Sequence, residues 1–232
     1  MNYLILNDED STNITGLLIQ SLPPITKPLI RTSVEEIDGK DGDVITKLGY
    51  SAYDREVTIG LYGNYDIDSI IAFFNSEGKA VFSNEPDRYY KYTITEQIDF
   101  ERLIRFKTAT VTFHVQPFKY SSDEGIISGT TSISVTNNGN IYSRPKLTIT
   151  GSGTVSVKLD NSQVFSVEMG DTSSTIIIDA EEMNAYDETG IFKNRAVTGD
   201  YDKFVLDAYK KYTIAASGSV TALKAENITR WI

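Results

Sequence analysis

Cysteine is absent from the 232 residues, which excludes disulfide frameworks, thiolate zinc sites and cysteine nucleophiles together. Histidine is almost absent. The one imidazole, His114, lies between Thr112 and Gln116 on the polar side of an alternating run, so a serine nucleophile has no partnered base in a pocket. Long apolar runs are missing as well, and the opening residues MNYLILNDEDST carry neither a basic n-region nor an apolar stretch of signal length. The expectation is a chain made in the cytosol that stays soluble, without membrane insertion. Basic charge is in deficit: 22 Lys and Arg stand against 32 Asp and Glu, a net charge of -10. That balance disfavours adhesion to nucleic acid, although DNA can pass such a surface without sticking.

What is present is apolar and aromatic: 40% hydrophobic and 11% aromatic residues, enough for a core in one large domain or two small ones. REVTIGLYG alternates strictly, with Val57, Ile59 and Leu61 on one side and Glu56, Thr58 and Gly60 on the other, which predicts a half-buried strand. In NYDIDSIIAFFNSEGK, Ile67, Ile70, Ile71 and Phe74 fall at helical spacing, with Asp66 as N-cap and Gly78 as stop. AVFS and YYKYTIT read as strands, and FKTATVTFHVQPFKY alternates most clearly, with Val111, Phe113 and Val115 inward. The stretch from Glu35 to Leu61 is less regular at its start. Asp38-Gly39 and Asp41-Gly42 favour turns, and Val34, Ile37, Val44 and Leu48 alternate only in part. It reads as a long hairpin, polar on both sides, that reaches a neighbouring chain.

Between Ser121 and Thr131 the texture changes to SSDEGIISGTT, which marks a linker and predicts domains at 1–121 and 122–232. Beyond it, SISVT, PKLTITGSG, TVSVKLD, QVFSVEM, STIIIDA and KYTIAASGSVTALKAENITRWI are short strand patterns spaced as in a sandwich. Asn138-Gly139 is a hairpin signal, and Gly151 to Thr154 reads as a hairpin turn because no Gly-Lys-Ser/Thr follows to make a phosphate cradle.

No residue set stands out as catalytic. DAEEMNAYDETG concentrates Asp179, Glu181, Glu182, Asp187 and Glu188, which a solvated loop explains better than a general acid and base. Asp38, Asp41 and Asp43 fail the EF-hand pattern, since Lys40 stands at a ligand position and no glutamate closes the loop. No metal and no cofactor is therefore expected. The aromatic residues point elsewhere. Tyr89, Tyr90 and Tyr92, with Arg88 and Lys91 among them, suit either cross-strand packing or a subunit interface. Asp38, Gly39, Lys40, Asp41, Gly42, Tyr50 and Tyr53 complete the candidate interface set. Tyr186, Tyr201 and Tyr209 are candidate sugar-stacking residues should the second domain be a carbohydrate-binding module for host cell-surface glycans.

The succession DGKDG, LGYSAYDREVTIGL, a helix ending in FFNSEGKAVFSNEPDRYYKY, RFKTATVTFHVQPFKY and NNGNIYSRPKLTITGSGTVSVKLD resembles the distal tail proteins of siphophages and prophages of Gram-positive bacteria. The resemblance covers nearly the whole chain. It implies a mainly β protein: an N-terminal β-sandwich-like domain with one helix and an extended hairpin, or belt, and a C-terminal galectin-like β-sandwich facing outward. It further implies a non-enzymatic homohexameric ring at the distal end of the tail, in which each hairpin embraces the next subunit. Tail tube protein, the tail-associated tip protein and a receptor-binding protein are the implied partners. DNA would transit the central channel without specific binding. The location implied is the virion, after assembly in the host cytoplasm.

Overall fold

The computed structural model describes residues 1–74 and 76–232 and divides the chain into two units, Met1–Ser122 with Ile232, and Asp123–Trp231. The first unit contains β1 (Leu4–Leu6), β2 (Glu9–Asp10), β3 (Leu17–Ser21), β4 (Ile30–Glu36), β5 (Asp43–Tyr50), β6 (Tyr53–Leu61), α1 (Ile67–Phe73), β7 (Glu77–Phe82), β8 (Arg88–Thr93), α2 (Phe100–Phe106) and β9 (Thr108–Ser121). Seven of its strands form an antiparallel sheet in the order β2-β1-β7-β8-β9-β6-β3. The sheet curls until its ends approach, and the Asn2 side chain near β1 donates to the Gln20 carbonyl of β3 at 3.1 Å. Strict alternation produces this curl's inner lining: Val57 and Ile59 from β6 meet Ala109, Val111, Phe113 and Val115 from β9, all buried.

Helix α1 starts where the spacing predicts, with the Asp66 carboxylate accepting from the Asp68 and Ser69 amides. Its buried stripe is Ile70 and Phe73, followed by Phe74 just past the helix, while Ile71 stays exposed. Gly78 is not the stop. It lies inside β7 opposite Tyr92, where an added Cβ would fall 1.8 Å from Asn7 Oδ1, so it is the close approach that requires glycine. A second helix, α2, escapes the sequence reading because only Leu103 of its seven residues is buried, leaving no apolar stripe.

The second unit contains β10 (Ile127–Gly129), β11 (Ser132–Thr136), β12 (Lys146–Leu159), β13 (Ser162–Glu168), β14 (Ser174–Asp179), β15 (Asn184–Tyr186), β16 (Val197–Gly199) and β17 (Lys211–Glu226). Strands β12 and β17 pair along almost their whole lengths, but their register breaks around Gly151 to Ser156. The first half of β12 pairs with β14, its second half with β13. One sheet thus bends into two layers over a core that includes Leu147, Val157, Phe165, Phe204 and Leu223. The GSGT stretch is that bend and not a hairpin turn: Gly153 has φ +66°, and a Cβ on Gly218 (φ +115°) would meet the Thr154 carbonyl at 2.6 Å.

Asn138-Gly139 likewise turns no hairpin, since β11 pairs with β17 and not with β12. The buried Asn137 side chain organises that loop, donating to the Ile141 and Leu206 carbonyls and accepting from Gly139 N at 2.9 Å. Ile127–Gly129, inside the expected linker, is an edge strand on β17.

Candidate functional site

Strands β4 and β5 form a two-stranded sheet of their own, joined to no other strand. The root is closed by the Ser51 amide donating to the Leu29 carbonyl at 2.9 Å, and Tyr50 packs edge-on against Phe118 with ring centroids 5.5 Å apart. At the tip, the Lys40 amide donates to the Ile37 carbonyl, and Gly39 (φ +83°) supplies the positive φ at the third position of a type II turn. Asp38, Gly39, Lys40, Asp41 and Gly42 are all exposed there. At about 3.4 Å per residue, the seven- and eight-residue strands carry this tip roughly 25 Å from the root.

The arm is wet on both faces, yet it is not uniformly polar. Val34 and Ile45 face each other across the ladder at 54% and 63% exposure, Ile37 is 51% exposed, and Leu48 at the bulge is 58% exposed. An isolated two-stranded hairpin is marginal in water, and clustered exposed aliphatics of this size mark a surface that another chain covers. Among the described residues no carboxylate or cation of the hairpin makes an ion pair within the chain. Glu36 stands opposite Asp43, a like-charge pair that stabilises nothing by itself.

The tyrosines divide differently from the sequence reading. Tyr89, Tyr90 and Tyr92 are buried within their own unit, so they are not interface residues. Tyr89 stacks on Tyr120 at 5.3 Å, and Tyr92 packs edge-on to Phe113 at 5.2 Å. Burial pushes the Tyr92 hydroxyl up to about 12. Tyr53 is half-buried against the core, with its hydroxyl buried. In the second unit Tyr186 is half-buried near Lys146, and Tyr201 turns its ring edge to Phe165 at 5.1 Å. Only Tyr209 of the three proposed stacking residues is exposed, so they present no three-ring platform.

Sequence reasoning missed a buried charge cluster beside the hairpin's entry. Arg55 is in phase with Val57 and Ile59, and Lys119 with Phe113 and Val115, so both charges are carried inside by the apolar alternation. Glu85 answers them: its carboxylate accepts from Lys119 Nζ at 2.7 Å, from Arg55 Nη1 at 3.4 Å and from the Tyr90 hydroxyl. Arg88 approaches it at 3.8 Å. Arg55 also donates to the Pro23 and Pro24 carbonyls and lies over the Phe82 and Tyr90 rings at 4.6 and 4.5 Å. Burial alone would raise the Glu85 carboxyl, but the hydrogen bonds from Lys119 and Tyr90 and the charges of Lys119 and Arg55 hold it below its ordinary value. Burial and the bond to Glu85 push the Tyr90 hydroxyl well up. The cluster ties the Pro23-Pro24 segment, which leads into β4, to the body of the unit. Two charges in phase with an apolar face were the signal, since each requires a buried counter-charge.

The acidic run after the linker offers no acid and base pair. Asp179 pairs with Lys146 at 3.3 Å, Glu181 with Arg230 at 3.3 Å, and Asp187 with Lys193 at 3.4 Å. Thr189 and backbone amides hold the Asp187 carboxyl down at about 2. His114 lies on the outer face of the sheet, 2.7 Å from Asp54 on the neighbouring strand.

Residues 12–115 match the model of the phage tail protein RIFT-related domain. Among solved structures, SPP1 Dit, described as a paradigm of the hub adsorption apparatus in phages infecting Gram-positive hosts, superposes over all of both chains with TM-score 0.64 at 19% identity. A chain of the phage P2 baseplate in its activated conformation with Ca superposes with TM-score 0.52 at 8% identity, over 100% of this chain and 98% of that one. In the form with Sr the values are 0.51 and 10%, over 97% and 98%. No curated protein sequence matches significantly.

Proposed function

With residues 12–115 belonging to the phage tail protein RIFT-related domain family and the whole chain sharing the fold of SPP1 Dit, we propose that this protein is the structural hub of a phage tail tip or baseplate. Copies of the chain form a closed ring, six in number, that joins the tail tube to the host-adsorption apparatus. The role is mechanical and non-enzymatic. The observation that carries this reading is the β4–β5 hairpin, an arm with exposed aliphatics and unpaired charges that lacks any covering surface in its own chain. A heterologous contact of this kind generates open fibres unless its rotation closes, and a cyclic ring is the closed solution.

The partners in this reading are further copies of the chain, the tail tube protein, a tail-associated tip protein and a receptor-binding protein docked on the second unit. The net charge of -10 suits a channel through which DNA slides without sticking. Assembly takes place in the host cytoplasm before the virion is complete. Negative-stain microscopy with light-scattering mass on the purified protein tests the proposal. Rings with an open centre, lost when residues 31–48 are replaced by a short Gly-Ser turn, are the expected result. A monomer at every concentration overturns self-assembly of the chain.

A further inference from the structure

Resting on that ring, and extending it to a specific seat, we propose that the tip of one copy's hairpin docks in the concavity beside α2 of the next copy. The concavity has a volume of about 670 Å³ and is lined by Asp99, Glu101, Arg102, Arg105, Phe106 and Thr108. Two features make it a seat for this tip. The first is apolar: Phe106 is 64% exposed and Ile104, two residues before it, 41%, although the helix is otherwise anchored by a fully buried Leu103. Ile37, at the hairpin's turn, offers the matching aliphatic side chain.

The second feature is charge. From Phe100 to Lys107 the chain reads FERLIRFK, three cations to one carboxylate in a protein that is acidic overall. Among the described residues Arg102 has no carboxylate partner. Lys107 donates to the Tyr65 hydroxyl at 3.2 Å and lies over that ring at 4.3 Å, so its partner is neutral. Arg105 pairs with Glu101 at 3.1 Å, but both ends are largely exposed and exchange partners at little cost. The hairpin from Glu35 to Asp43 reads EEIDGKDGD, five carboxylates to one lysine, and none of the five is paired within the chain. An acidic tip with an aliphatic at its turn and a cationic concavity with an exposed phenylalanine at its rim are complementary in both charge and polarity. Such complementarity steers the encounter and fixes which surface is met.

The absence of native cysteine supplies a clean test. In the full chain carrying Asp41→Cys and Arg102→Cys, mild oxidation should give intermolecular disulfides, seen on non-reducing gels as a ladder ending at the ring size. The pair Asp41→Cys with Asp171→Cys, the latter on an exposed loop of the other unit, should give none beyond dimers. As a second readout, Arg102→Glu with Lys107→Glu should raise the concentration for half-assembly about tenfold, as should Asp38→Lys with Asp41→Lys, through lost charge pairs. The four changes combined should recover most of the loss. A ring that persists unchanged in Arg102→Glu/Lys107→Glu, yet disappears on hairpin deletion, overturns the seat and leaves the hub standing. A ring that survives both overturns the exchange of hairpins itself.

Discussion

Strands β4 and β5 are followed directly in the chain by β6, which pairs with β9, and the two pairs are opposites. In β6 and β9 apolar and polar residues alternate without a break, and each inward side chain from Val57 to Ile59 and from Ala109 to Val115 is buried. In β4 and β5 the alternation fails, and no residue of either strand is fully buried. Strand alternation records which side of a sheet water occupies. Its failure in a strand that nevertheless keeps its ladder records a surface that the chain leaves for another molecule. The charges say the same thing: Arg55 and Lys119 of the core pair have a buried counter-charge in Glu85, whereas the hairpin's five acids near the tip have none.

The contrast is broken most directly by placing lysine in each pair of strands. Val111→Lys buries an unpaired charge and should unfold the first unit outright, seen as loss of its cooperative transition by circular dichroism. Val34→Lys with Ile45→Lys should abolish rings while leaving the denaturation midpoint of the purified chain within about 0.5 kcal/mol of the parent. A comparable stability loss in both variants would show that the hairpin belongs to the fold and not to a partner.

Next in size is Glu85→Ala, which leaves Arg55 and Lys119 buried without their anion and should cost about 3–5 kcal/mol in urea denaturation of the first unit. Fluorescence of separate probes in the two units should show the second unaffected. Acid sharpens the same point. The Glu85 carboxyl lies below its ordinary 4.5 when folded, so its contribution is complete above that pH and disappears as pH falls through the lower folded value. Urea midpoints should therefore drop below about pH 4.5 more steeply in the parent than in Glu85→Ala. Parallel curves would remove the cluster from the account.

The smallest contrast is between two glycines of positive φ. A methyl group at Gly218 meets the Thr154 carbonyl at the bend of the sandwich, so Gly218→Ala should cost about 2 kcal/mol or more. At Gly39 an added Cβ meets nothing within 4 Å, so Gly39→Ala carries only the left-handed strain of roughly 1 kcal/mol, confined to the tip. Differential scanning calorimetry of the two variants should separate them, with only Gly218→Ala lowering the transition of the second unit.

Much of this architecture was legible in order along the chain. The alternation in REVTIGL and in TATVTFHV determined two central strands and their buried faces, Asp66 determined the start of α1, and the pair of Asp-Gly steps determined an arm between extended segments. These are local properties, because the period of apolar residues, a capping carboxylate and a glycine at positive φ act within a few residues. What the tertiary structure decided is what lies across the chain from each element. Tyr90 and Tyr92 became core because Phe82 and Phe113 stand against them. Gly151 to Thr154 became a bend because β17 continues past it, and Asn138-Gly139 became a loop because Asn137 is held by carbonyls up to 69 residues away. The Arg55, Glu85 and Lys119 cluster joins three segments that nothing local brings together, and its cohesion comes from excluding water around charges that the sequence alone would have placed at the surface.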